Sequence, residues 1–298
     1  MPKPQPSDRA PLSFNFEAMK PLPAPASFLE AAAGLGIEFE EGDVERLGRF
    51  LGMLLEANAS ALNLTAVTEP EAAWQRHVLD SLTLLPMLAE LSEGAKVLDV
   101  GSGGGLPGVP LAIVMPHLKF TLLEATGKKV EFLRAVTRAM GLKNVQVVQG
   151  RAEAFGHDRG VKGPTGERTG GYREAFEAVT ARAVGRIAVL AELTVPFAKV
   201  GVGEEAGGFV LLIKGQKAEE ELEEAKEALH LLKVVHAATV DTPTGRVVVL
   251  EKRSATPKLY PRGDGEPSRR PLGIKVERAR PAASGDADAP AKTDHDGA

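Results

Sequence analysis

The sequence predicts an α/β protein in which a mostly parallel sheet is wrapped by helices, closed at one edge by an antiparallel hairpin, and preceded by a small helical subdomain. Three observations predict it. Beyond Gly94, short apolar or β-branched runs alternate with helical stretches, the rhythm of strands joined by crossover helices. Close to the C-terminus two such runs, 233–240 and 246–252, have only a turn between them, which suggests an antiparallel pair. Before Gly94 the apolar residues recur at three and four, the spacing of a helix with one buried stripe.

Residues 1–27 carry seven prolines and little apolar pattern, which predicts a disordered segment. Residues 28–92 read as a helical cap: Val44, Leu47, Leu51 and Leu54 make one stripe, and a turn follows at 61–65. Thr68-Glu69-Pro70-Glu71 reads as a capping box with proline in the first turn, opening a helix with Trp74, Val78, Leu82 and Leu85 on one side. The main domain, 93–253, holds strands at 96–100, 119–124, 145–149, 177–181 and 209–214, with helices such as 128–140 and 188–197 between them, and then the hairpin. Six glycines and many charges between 156 and 174 predict a long flexible loop. Residues 254–298 are expected to be a basic, largely disordered tail, wholly disordered from 281.

Lys and Arg number 36 against 40 for Asp and Glu, a net charge of -4 that gives no global attraction to nucleic acid or anionic membrane. The distribution is uneven. From Lys252 to Arg280 nine basic residues face three acidic ones, a segment that could grip a polyanion or serve merely as a solvated tail. With no cysteine in the chain, disulfides, thiolate zinc sites and cysteine nucleophiles are excluded, and no metal site is expected. No apolar run approaches the ~18 residues of a membrane helix, and no secretory signal opens the chain, so the expected address is the cytoplasm.

The stretch DVGSGGGLPG, from Asp99 to Gly108, puts five glycines in ten residues between a strand and a helix. Side chains are given up where something must approach the backbone, although such a loop can also serve tight packing alone. A Walker A loop needs Gly-Lys-Ser/Thr at its end, which Leu106-Pro107-Gly108 lacks; the dinucleotide fingerprint needs a third glycine where Leu106 stands. The loop of S-adenosylmethionine (SAM) enzymes, acidic-x-Gly-x-Gly-x-Gly, fits Asp99, Gly101, Gly103 and Gly105. SAM has no phosphate, so the loop must let a sulfonium with an amino-acid tail lie against bare backbone, with Asp99 suiting its positive groups. Pro107 is expected to start the helix, where a missing N–H costs little. Glu124 ends the next strand about twenty residues on, where an acid hydrogen-bonds a ribose. Loop and acid together point to adenosine.

The words flanking these residues are Asn63-Leu64-Thr65, Arg76-His77-Val78-Leu79-Asp80-Ser81-Leu82, DVGSGGGLPGVPLAIV, Glu124-Ala125-Thr126-Gly127-Lys128-Lys129, Gly150-Arg151-Ala152-Glu153, Thr180-Ala181-Arg182-Ala183 and Leu212-Ile213-Lys214-Gly215. In that order, over roughly residues 28–272, they closely resemble the RsmG (GidB) family, bacterial methyltransferases that modify guanine N7 in small-subunit ribosomal RNA. The closing Tyr260-Pro261-Arg262 and Pro271-Leu272 resemble that family's tail. The resemblance implies a Rossmann-like SAM-dependent methyltransferase fold with a seven-stranded sheet over 93–253, and 16S rRNA or the small ribosomal subunit as partner. It implies that Gly101, Gly103 and Leu106 line the cofactor loop, that Glu124, Ala125 and Thr126 meet the adenosine, that Ala152 and Glu153 frame the adenine, and that Arg182 faces cofactor and base. Two departures stand out: Glu124 replaces the Asp of many relatives, and the 156–174 loop is longer than usual.

Guanine N7 offers a lone pair with no proton to remove, so no general base is required and the enzyme has mainly to position its reactants, an effect worth up to ~7–11 kcal/mol. Thr180-Ala181-Arg182 is unlike the Asn/Asp-Pro-Pro-aromatic turn used on exocyclic amines. Arg182 and Lys214 are the positioning candidates, each readable instead as a strand-end ion pair. Lys214 could also meet RNA phosphate. His77, Asp80 and Ser81 share one helix face, as a polar network holding the cap or as a substrate contact; His77 is not assigned as a base. Aromatics at 5% leave no stacking platform, so shape recognition of folded RNA fits better. A monomer is expected. The rivals are a small-molecule methyltransferase, which should survive deletion beyond Lys252, and a SAM-binding ribosome-assembly factor without turnover.

Overall fold

The computed structural model describes residues 14, 16, 19–162, 168–182, 185–201 and 207–274. The N-terminal elements are α1 (Ala26–Gly34) and α2 (Asp43–Ala57). α2 buries Leu47, Leu51 and Leu54, and Asp43 and Glu45 in its first turn complement the helix dipole. After α2, Asn58 Oδ1 accepts from the amides of Leu64 (2.8 Å) and Thr65 (3.1 Å) and so holds the chain as it turns back. The expected capping box does not form: Glu69 takes the N-cap position without a side-chain bond, and Pro70 opens α3 (Pro70–Ala73). Nor is the next helix continuous. α3 runs into a π turn (Trp74–Leu79), then α4 (Asp80–Leu82), and Pro86, lacking an amide to donate, restarts the chain as α5 (Leu85–Leu88). Trp74, Val78 and Leu82 are nonetheless fully buried, as their spacing requires.

From there the chain forms β1 (Lys96–Val100), α6 (Gly108–Val114), β2 (Lys119–Glu124), α7 (Gly127–Ala139), β3 (Val145–Gln149), α8 (Ala152–Phe155), β4 (Val161–Lys162), β5 (Arg168–Thr169), β6 (Ala178–Arg182), α9 (Ile187–Thr194), β7 (Phe209–Lys214), α10 (Ala218–Leu232), β8 (Val234–Thr242), β9 (Gly245–Lys252) and α11 (Glu266–Arg269). Seven strands make one sheet in the order β3-β2-β1-β6-β7-β9-β8. β1, β2, β3, β6 and β7 are parallel, whereas β9 pairs antiparallel with both β7 and β8. The fold is thus a Rossmann-like, mostly parallel sheet with an antiparallel edge. The central parallel strands read as apolar runs because helices cover both faces. Chain order reverses between β1 and β6, so a crevice opens at their carboxyl ends.

The cap is not a separate body: Leu54 and Trp74 share one core with Leu106, Val109 and Phe132 of the sheet domain. On the other face α9 and α10 pack over β6, β7 and β9. Observed β6 begins one residue later than expected and takes in Arg182.

Three stretches expected to be loose are packed in part among the described residues. Within 1–27, Phe14 and Phe16 stack at 5.2 Å and meet Phe132 edge-on, and the Leu22 amide bonds Gly48 O at 3.1 Å. Gly48 permits that approach, since a Cβ there would lie 2.2 Å from Leu22 O. Residues 1–13 lie outside the described residues. The 156–174 loop holds the antiparallel pair β4–β5, and Arg173 ends it as a buried anchor, donating to Gly156 O (2.6 Å), Tyr260 O (2.8 Å) and Thr256 O (2.7 Å). A planar five-donor guanidinium can gather several carbonyls at once, which a glycine count cannot foresee.

The carbonyls that Arg173 gathers belong in part to residues 253–274, a strap folded back over the domain rather than a disordered tail. Glu192, with no exposed surface, accepts from Arg262 at the backbone amide (2.8 Å), Nε (2.9 Å) and Nη2 (2.7 Å). Lys252 is equally buried and donates to Val195 O (2.8 Å) and Thr256 Oγ1 (2.6 Å). Two cations of the basic segment are therefore internal fastenings, unavailable to a polyanion. Residues 281–298 lie outside the described residues. Among those described, no helix is long and apolar enough to cross a membrane.

Candidate functional site

A pocket of about 420 Å³ lies where β1, β2, β3 and β6 end, at the topological switch point. Gly101, Gly103, Leu106, Glu124, Ala125, Ala152, Glu153 and Arg182, all singled out in the sequence, line it together.

The glycine loop forms the floor. Gly101 leaves β1 at φ +73°, and a Cβ there would meet nothing within 4 Å, so its bare face opens on free space. The amides of Gly101 and Ser102 bond Leu123 O (2.8 and 3.2 Å), tying the loop to β2. Pro107 sits at the N-cap and the helix starts one residue later, at Gly108. Gly108 is pressed so closely that a Cβ would lie 2.3 Å from Leu122 Cδ2.

Asp99 does not face the ligand, contrary to expectation. It is 1% exposed, accepts from the Gly108 amide (3.2 Å) and the Thr180 hydroxyl (3.2 Å), and joins strand end to helix start. Burial pushes its carboxyl up to about 6, against the pull of these hydrogen bonds. Its work is to hold the loop.

Glu124 is the acid on the pocket wall. Its Oε2 accepts from the Gly103 amide (3.0 Å) and its Oε1 from the Thr126 amide (2.7 Å), which fixes the carboxylate while leaving lone pairs on both oxygens. Thr126 itself is not in the lining; its amide orients Glu124 instead. Glu153 is fixed similarly, with Oε1 accepting from the Gly265 amide at 2.8 Å and from Arg151 Nη2 at 3.2 Å. Gly265 belongs to the strap, and Ser268 of α11 lines the same pocket.

Arg182 closes the opposite side. Its Nη1 donates to Arg76 O at 2.7 Å, with His77 Nδ1 at 3.5 Å and Asp80 Oδ2 at 3.7 Å, while Nε and Nη2 make no protein hydrogen bond among the described residues. Burial lowers the affinity of the guanidinium for its proton, and Asp80 and Asp99 raise it. His77, 4% exposed, is driven down to about 4 by burial and then by the Arg182 cation, so its imidazole is neutral at physiological pH. The Thr244 hydroxyl donates to the other Asp80 oxygen. Lys214 stands apart from the pocket: its Nζ is held by Glu221 (2.7 Å) and Gly185 O (2.7 Å), so it anchors α10 and is not free for a phosphate.

Reasoning from the sequence missed Leu64, Lys129, Val189, Leu190, Leu193 and Ser268 in the lining. Leu64 stands in the turn expected at 61–65, Val189, Leu190 and Leu193 fall in the helical pattern of 188–197, and Ser268 carries no local signal. Among the described residues no group of three metal-ligating side chains occurs.

Comparison with known proteins follows the same line. The family described as "GidB: rRNA small subunit methyltransferase G" matches residues 43–248. A relative from Sorangium cellulosum (strain So ce56), named "Ribosomal RNA small subunit methyltransferase G", is 48% identical over 256 residues, covering 86% of this chain and 98% of its own. Relatives of the same name from Leuconostoc citreum (strain KM20; 38% identical, covering 83% of this chain and 98% of its own) and Lactococcus lactis subsp. cremoris (strain MG1363; 36%, 83% and 99%) also match. Among solved structures, a SAM dependent methyltransferase from Aquifex aeolicus aligns with a TM-score of 0.42 at 18% identity, covering 59% of this chain and 90% of that one.

Proposed function

The chain belongs to the GidB family of rRNA small subunit methyltransferase G, and from that premise we propose that it transfers a methyl group from SAM to N7 of a guanine in 16S rRNA. The observation that carries the reading is the convergence of residues from seven separate stretches on one pocket at the switch point.

The pocket suits the cofactor. Its volume lies in the range of small-molecule sites. Gly101 leaves room against bare backbone, Glu124 retains acceptor capacity for a ribose diol, and Arg182 keeps Nε and Nη2 without a hydrogen bond among the described residues, as donors to a carboxylate. Ala152 and Glu153 frame the adenine, while Val189, Leu190 and Leu193 keep water from the transfer. When bound, SAM supplies a methyl carbon made electrophilic by its sulfonium. The chain needs no proton acceptor for N7, and the lining fits that: both carboxylates, Glu124 and Glu153, are already engaged by backbone amides. In the same wall Arg151 is paired with Glu153 (3.2 Å) and Asp264 (3.4 Å), which leaves Lys129 as the lining cation for an RNA phosphate. We assign 28–92 as cap and 93–253 as catalytic domain, acting in the cytoplasm as a monomer. The large apolar side chains exposed among the described residues are few and spread over α1, β4, β8 and the strap, which supports that state.

Incubation with methyl-labelled SAM and small-subunit particles lacking the modification tests the reading. Label should enter the small-subunit RNA. Binding of SAM with no incorporation would make the protein an assembly factor, and transfer to small molecules alone would make it a small-molecule enzyme. Deletion beyond Lys252 cannot separate these cases, because the strap it removes carries Ser268, which lines the cofactor pocket, and Gly265, whose amide holds Glu153.

A further inference from the structure

Arg182 lines the pocket as a cation beside Lys129 and Arg151, and what aims it comes from the cap. The π turn Trp74–Leu79 turns two acceptors toward one guanidinium nitrogen, Arg76 O at 2.7 Å and His77 Nδ1 at 3.5 Å from Nη1, and Asp80 at the start of α4 adds Oδ2 at 3.7 Å. Guanidinium has no acceptor, so His77 can serve it only with Nδ1 unprotonated. The tautomer follows. The proton sits on Nε2, which lies 2.7 Å from Thr65 Oγ1, and that oxygen also accepts from the Val67 amide at 2.9 Å. Asp80 is held from behind by Thr244, in the β8–β9 turn. The seat thus joins cap, central strand and edge hairpin around one edge of Arg182, and among the described residues it leaves Nε and Nη2 for the pocket.

We propose that His77, as the Nε2–H tautomer set by Thr65, is a positioning residue for Arg182, and that this seat directs the guanidinium onto the carboxylate of the cofactor's methionine tail. The inference rests on SAM being the ligand. It makes cofactor discrimination depend on the cap, since a ligand with the same adenosine and no amino-acid tail has nothing for Arg182 to hold. A neutral acceptor suits this seat, because an imidazolium there would place two cations in contact, and a second carboxylate would draw the guanidinium away from the pocket.

Two amides divide the roles of the ring. His77→Asn puts an amide group near the place of Nδ1, within reach of Arg182, whereas His77→Gln puts it near Nε2, on the Thr65 side. Calorimetric titration of wild type, both variants and Asp80→Asn with SAM and with 5′-methylthioadenosine reads the effect. His77→Asn should bind SAM within about threefold of wild type, and His77→Gln and Asp80→Asn roughly tenfold more weakly, about 1.4 kcal/mol. All four proteins should bind methylthioadenosine alike. Equal weakening of both ligands, or His77→Gln matching His77→Asn for SAM, would overturn the proposal and leave a merely structural histidine. Failure of the wild type to bind SAM at all would instead defeat the reading of the site.

Discussion

Gly101 separates two effects that usually travel together. Its φ of +73° strains any side chain, while the space before it is open. Gly101→Ala and Gly101→Asp should therefore both lose about 1–2 kcal/mol of stability in urea unfolding. Only the aspartate puts an anion into the cofactor's space, and calorimetry should find its SAM affinity reduced by ~100-fold or more, about 2.7 kcal/mol. His77 makes a different kind of prediction. Its folded pKa, about 4, lies below the ordinary 6.5, so the unfolded chain takes up the proton first and stability falls as pH drops through that window. Asp99 has the opposite sign, because its raised pKa of about 6 favours the folded state as pH falls. The His77 contribution is isolated by comparison with His77→Asn, which does not titrate: between about pH 7 and pH 5 wild type should lose about 2 kcal/mol relative to the variant. Equal losses in both would mean that the imidazole is not buried neutral. At this scale the sequence was informative where chemistry is local. Gly101, Glu124 and Arg182 stand at strand ends in a loop pattern with one consistent ligand, whereas Asp99 sits in the same pattern and turned inward, because two buried donors, Gly108 and Thr180, were waiting for it.

The elements follow the same division. Central parallel strands were legible because burial on both faces forces apolar runs, and β1, β2 and β7 fall where those runs stand, while β3, at the sheet edge and only half-buried, was marked by its valines alone. The strap was not. Its fastenings join residues 70 to 112 apart, Glu192 to Arg262 and Glu153 to Gly265, and no local pattern announces such a pair. Proline and charge suggested disorder there because composition counts charges without knowing which are neutralised. The cap's second helix failed in detail for another reason: a 3.6-residue period fits an α-helix and a π turn alike over so few residues, so burial was foreseen and the break was not. The strap's attachment can be measured. Arg262→Met leaves Glu192 charged and buried without its partner, which should cost about 3–5 kcal/mol in denaturant unfolding, and Glu192→Leu added to it should recover more than half. Failure of the second change to recover anything would mean that the strap is held by something other than this pair.

Across the whole molecule, one topological fact organises the rest. The reversal of strand order between β1 and β6 opens the crevice, and the cap, the glycine loop, α9 and the strap each supply one wall of it. The cap shares its core with α6 and α7, so Arg182 is aimed by a body rigidly joined to the loop it faces. Such an arrangement serves a reaction that needs placement and no proton acceptor, and methylation of guanine N7 is one. It leaves a chemical mark, because a methylated N7 puts a positive charge on the ring and opens it to borohydride reduction and aniline scission. The direct measurement is to treat unmodified small-subunit particles with the protein and SAM, extract the RNA, and map the breaks that borohydride and aniline produce. A new break at one guanine, absent without SAM and absent with Gly101→Asp, is the result the account predicts. Methyl incorporation into the RNA with no new break would place the methyl on another atom and contradict it.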